Sequence, residues 1–185
     1  MHQKAIKIFQ VIVLTLFLSD FAVAAKVLSP LPAEVTRQWD ELALIGETSL
    51  KRFGFHIYDA SFWMASNRDD ESFSTTLSAL SITYAKNIRA EKLLSSTKKE
   101  WKKLGIANNH PTDAWLSELK QIWPDVKKGD QLIIVFEPGG DSTFFSKHKK
   151  LGTIGDTKFG PAFLAIWLDK NASFIKNRNE LLGKS

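Results

Sequence analysis

A chain of 185 residues with 44% hydrophobic side chains, thirteen Phe and six Trp can bury one sizeable core and is too aromatic to stay disordered. Having no cysteine, it can hold no disulfide, thiolate metal site, cysteine nucleophile or lipidated N-terminal cysteine. Its net charge of +5 is scattered over short lysine pairs and gives no footprint for nucleic acid.

Residues 1–24 read as a secretory signal peptide. Lys4 and Lys7 form a positive start, residues 8–18 a mostly apolar stretch, and Ala22-Val23-Ala24 the small-x-small pattern of a cleavage site. That stretch falls well short of the roughly 20 residues a spanning helix needs, so no transmembrane segment is expected in the mature protein. Cleavage after Ala24 or Ala25 leaves residues 25–185 as a single domain, expected in the bacterial periplasm. Losing Lys4, Lys7 and Asp20 lowers the net charge by one.

Past a leader containing Pro30 and Pro32, residues 42–47 and 52–64 are expected as strands joined near Thr48-Ser49, with residues 80–84 as a third. From Ala90, the spacing of Leu93, Leu94, Trp101 and Leu104 predicts an amphipathic helix with Lys98, Lys99, Lys102 and Lys103 turned away and Gly105 closing it. A second helix runs from Pro111 to Trp123 and stops at Pro124. Turns at residues 127–130 and 138–141 bracket a strand at 131–137, and short strands follow at 142–146 and 151–154. Helices close the chain at 159–168 and 173–182, the last with Ser173 as N-cap and Gly183 beyond it. Tight turns between strands imply antiparallel pairing, hence an α+β layer of helices on an antiparallel sheet.

No chemistry announces itself by motif. Gly139-Gly140 lacks the context of a phosphate loop, and no GxSxG elbow is present. His2, His56, His110 and His148 lack the spacing that aims two imidazoles at one metal, so neither metal nor cofactor is expected. The informative stretch is 52–64. On a regular strand Arg52, His56 and Tyr58 share one face and Phe53, Phe55 and Ile57 the other. A guanidinium, an imidazole and a phenol on one strip can hold a carboxylate or enolate, although an ordinary solvated sheet face has the same pattern, and a bulge at Gly54 would break the alignment. The six Trp fit core positions better than a stacking platform.

In four blocks the chain resembles the bacterial chalcone isomerase-like proteins, exported relatives of plant chalcone isomerase. These are residues 46–60 (GETSLKRFGFHIYDA), 84–101 with Arg89-Ala90-Glu91-Lys92-Leu93 and Glu100-Trp101, 123–130 (WPDVKKGD), and 162–169 (AFLAIWLD) with Leu181-Leu182-Gly183. The resemblance spans nearly all of residues 40–183 and implies an open-faced β-sandwich, an antiparallel sheet with helices packed over it. The plant enzymes close a ring with an arginine, a threonine, a tyrosine and an asparagine. Laid on this chain, those places fall near Gly46 and at Tyr58, Arg89 and Ser96, so no catalytic residue is carried over. The fatty-acid-binding relatives pair an arginine with a tyrosine to hold the lipid carboxylate. Tyr58 matches that tyrosine, with Arg52 or Arg89 as counter-ion.

The resulting expectation is a cofactor-free, non-catalytic protein binding a fatty acid or similar amphipathic carboxylate through Tyr58, Arg52, Arg89, His56 and Ser96. The alternatives are an isomerase or lyase acting on an unsaturated lipid or phenolic substrate, and an envelope interaction protein without a small ligand. The signal reading carries its own test: protein recovered from the host envelope should begin at Ala25 or Lys26 by intact mass. A mass that retains residues 1–24 refutes it.

Overall fold

The computed structural model describes residues 27–66 and 72–184; the signal-peptide reading of residues 1–24 lies outside them. Six strands form one antiparallel sheet in sequence order: β1 Leu42–Arg52, β2 Phe55–Ala65, β3 Ser78–Tyr84, β4 Gln131–Phe136, β5 Ser142–Ser146 and β6 Lys150–Ile154. Helices α1 Ala33–Gln38, α2 Ala90–Lys103, α3 Thr112–Ile122, α4 Phe159–Leu168 and α5 Ile175–Leu181 complete it. The expected α+β arrangement of helices packed on an antiparallel sheet is the one found. Gly105, at φ +73, follows α2, and α3 ends just before Pro124, as anticipated.

The first hairpin differs from expectation. Thr48 and Ser49 lie inside β1, and the turn is Phe53-Gly54, with positive φ at both residues between the paired Arg52 and Phe55. Arg52 therefore ends the first strand. A bulge follows, because Leu50 pairs with Tyr58 but Lys51 with His56, leaving Ile57 unpaired. The bulge thus falls at Ile57, not at Gly54. Thr48 was mistaken for turn chemistry because it is polar; its hydroxyl in fact binds α5, donating to Glu180 and accepting from Asn177 Nδ2 at 2.6 Å. Ser173 caps no helix: α5 starts two residues later, and the Ser173 hydroxyl is spent on Glu100 at 2.5 Å.

Both sheet faces are covered, which explains the unbroken apolar run Leu132-Ile133-Ile134-Val135-Phe136. Leu132, Ile134 and Phe136 join the core under the helices, whereas Ile133 and Val135 meet Val35 and Trp39 on the far face. Residues 28–30 thread across that far face. Ser29 N donates to Ser61 Oγ at 3.1 Å, and the Ser29 hydroxyl lies 2.9 Å from that of Ser81 and 2.8 Å from that of Thr83. Gln131 Nε2 adds bonds to the carbonyl of Pro30 and to Ser81. Seven strand and loop groups thereby satisfy one another with no water needed.

On the helix side α5 presses so closely on β1 that a Cβ at Gly46 would lie 2.1 Å from the carbonyl oxygen of Glu180 and 2.7 Å from that of Leu181. Backbone cannot swing aside as a side chain can. Gly46→Ala should therefore cost about 2 kcal/mol or more and lower the thermal midpoint by several degrees. An unchanged midpoint in calorimetry would mean that α5 does not bear on this strand.

Candidate functional site

Between the helix-side face of the sheet and helices α2 and α4 lies a cavity of about 310 Å³. Its walls are apolar, with Leu80, Ile82, Leu132 and Ile134 from the strands and Leu93 and Ile166 from the helices. Trp123, Phe144 and Phe163 pack edge to face around it, with centroids 5.6–5.8 Å apart. The polar lining is sparse. Arg52 and Tyr58 come from the first hairpin, and Lys92, Ser96 and Glu100 from α2. The three α2 residues are spaced by four and so form one stripe, about 12 Å from end to end. Its first turn is cationic and its third anionic.

Tyr58 continues the inward alternation of Ala60, Phe62 and Met64, and the bulge turns Ile57 onto the cavity beside it. The Tyr58 hydroxyl accepts a hydrogen bond from Trp167 Nε1–H at 3.0 Å. Its own proton remains available to donate. Burial pushes its pKa up to about 12; the Trp167 bond opposes that shift and the Glu100 carboxylate adds to it. The phenol is thus neutral across the physiological range. Tyr84, edge-on to Tyr58 at 6.5 Å, is likewise raised by burial, with the neighbouring Tyr58 adding to it. Glu100 is fixed from the other side by the Ser173 hydroxyl, which in turn accepts from Lys103 Nζ at 2.8 Å.

Of the five residues expected at the site, Tyr58, Arg52 and Ser96 line the cavity. His56 does not. The bulge sends it to the opposite face, where Nε2 lies 2.9 Å from Asp59 Oδ1 and Ser49 donates to the same oxygen at 2.5 Å. Arg89 also lies outside the lining. It sits exposed as the N-cap of α2, and the preceding Ile88 lines the cavity instead. Gly46, where the resemblance places the plant enzymes' arginine, has no room for any side chain because α5 occupies that space. Lys92, Glu100 and Trp167 were not anticipated. The period of four from Lys92 was available in the sequence, but charged residues on an amphipathic helix read as its solvated face.

Three comparisons bear on this geometry. An uncharacterized protein of Haemophilus influenzae is 30% identical over 132 residues, which is 71% of this chain and 63% of the relative's length. The chain thus spans somewhat less than two thirds of that relative. The crystal structure of a fatty-acid binding protein of Arabidopsis thaliana shares 10% identity and a TM-score of 0.62, over 78% of this chain and 88% of that one. That is a likeness of fold. A model of the chalcone isomerase-like proteins matches residues 25–183, and the chain belongs to that family.

Proposed function

We propose that the protein is a non-catalytic carrier of a fatty acid or similar amphipathic carboxylate. The chain would lie in the cavity under α2 and α4, and the carboxylate between Arg52 and Lys92, with the Tyr58 hydroxyl as a neutral donor. The carrying observation is the composition of the cavity, whose walls are apolar and whose lining includes two cations, Arg52 and Lys92. The same reading is supported by the Arabidopsis protein of like fold, which is a fatty-acid binding protein. Export to the periplasm with loss of residues 1–24 belongs to the proposal, and its support is the sequence pattern alone.

The volume sets the length of the ligand. At about 30 Å³ per buried heavy atom, a value borrowed from liquid water, 310 Å³ accommodates on the order of ten atoms. Affinity for saturated fatty acids of graded length should rise roughly four-fold per methylene, from ~0.8 kcal/mol each, and level off once the cavity is full. Arg52→Ala should weaken binding roughly ten-fold, as loss of a charge-assisted bond, while Arg89→Ala binds like wild type. Titration calorimetry decides. If no chain length binds, or if Arg52→Ala and Lys92→Ala both match wild type, the carboxylate site is wrong.

The role given to Tyr58 requires its proton, and that proton affects stability in base. With a pKa of 10 unfolded and about 12 folded, its contribution is complete below pH 10 and is lost as pH rises through 12. Denaturant midpoints measured from pH 8 to 12 should fall across that window, by about 1.4 kcal/mol per pH unit for this group. Tyr58→Phe should flatten the fall. An equally steep loss in the variant would place the titration elsewhere.

A further inference from the structure

The lysine pairs that lie scattered in the sequence are gathered by the meander. Successive antiparallel strands put the Phe53-Gly54 turn, the return from Tyr84 into β4 and the hairpin between β5 and β6 at one end of the sheet. Lys51 and Arg52 flank the first turn, Lys127 and Lys128 lie in the second, and Lys147, Lys149 and Lys150 form the third. All seven are exposed, and none pairs with a carboxylate among the described residues. Lysines of the last two turns converge on one groove of about 720 Å³. The acids at this end, Asp125 and Asp130, accept backbone N–H bonds from Ala90 and Lys127, each at 2.8 Å. At the opposite end of the sheet lie Asp40, Glu41, Glu137 and Asp141, so the molecule is electrically polarised along its strands.

The tip of the cationic end is hydrophobic. Phe53 is 85% exposed and Phe55 61%. Neither core nor turn accounts for Phe53. Its φ of +50 is a region that bulky residues avoid, and a two-residue turn with positive φ at both positions favours Asn-Gly. Inside this fold the strained, exposed ring gains only the contact of the Arg52 guanidinium over one face.

We propose that this end of the sheet docks on an anionic phospholipid bilayer, with Phe53 and Phe55 entering the boundary between headgroups and acyl chains and the lysines resting on phosphates. Charge complementarity identifies the occupant: a plane of negative charge matches cations spread over three adjacent turns, and apolar tips need an apolar layer beneath that plane. A stacked base fits less well. Arg52 lies over the Phe53 ring at 5.2 Å and Lys86 over the Phe55 ring at 4.2 Å, which takes one face of each. The proposal does not depend on any ligand for the cavity.

Flotation with vesicles of phosphatidylglycerol in phosphatidylcholine, against phosphatidylcholine alone, tests it. Every variant keeps the same N-terminal residues, so any lipid affinity of those cancels in the comparison. The protein should float with the anionic vesicles alone and be released by about 0.5 M salt. Neutralising Lys147, Lys149 and Lys150 to Gln should reduce binding on the order of 10²-fold, since each cation at such a surface contributes roughly five-fold. Phe53→Asn should weaken binding by ten-fold or more while leaving the thermal midpoint equal or higher, because Asn suits the turn; Phe55→Thr should act alike on binding with the strand retained. Equal flotation with both vesicle types, or variants that float like wild type, would overturn the proposal. So would a protein that ignores vesicles but self-associates through Phe53, or that binds single-stranded oligonucleotide instead.

Discussion

The hydrogen bond from the buried Trp101 indole N–H to the carbonyl of Ala162, 2.9 Å long, joins the two helices that roof the sheet, and the site depends on that joint. Around it Trp101, Trp115, Phe159 and Phe163 interlock, with centroids 5.5–6.1 Å apart. In a protein without disulfides such a knot supplies the rigidity that a covalent link would otherwise give. It pins the last turn of α2 to the first turns of α4. The other halves of both helices, carrying Lys92 and Ser96 on one and Ile166 and Trp167 on the other, border the cavity. Core and cavity thus share two helices, with rings packed tightly at one end and space left at the other.

The sequence was legible wherever one physical effect acted alone. Pro124 and Gly105 ended helices as they must, and the run from Leu132 to Phe136 announced a strand, though not that both of its faces are covered. It misled where two effects competed. Thr48 and Ser49 have the composition of a turn but serve α5 and Asp59, while the true turn hides behind a phenylalanine. The bulge at Ile57 leaves no mark in composition, yet it decides that Tyr58 and not His56 faces the cavity. An argument from alternation alone, applied across an irregular strand, therefore assigned one residue correctly and its neighbour wrongly.

The place near Gly46 that the resemblance gives to the plant enzymes' arginine is filled by the last carbonyls of α5, so a side chain there would have to displace a helix. Cationic chemistry at the cavity comes instead from Arg52 at the hairpin end and Lys92 on α2.

The passage of residues 28–30 over the far face also constrains the order in which the protein can be completed. Ser29 binds groups on β2 and β3 and meets Gln131 on β4, at 3.4 Å. The segment therefore meets its partners on β2 and β3 before β4 exists, and completes its contacts only when Gln131, some hundred residues later, has been added. It is sealed only when the central strand arrives.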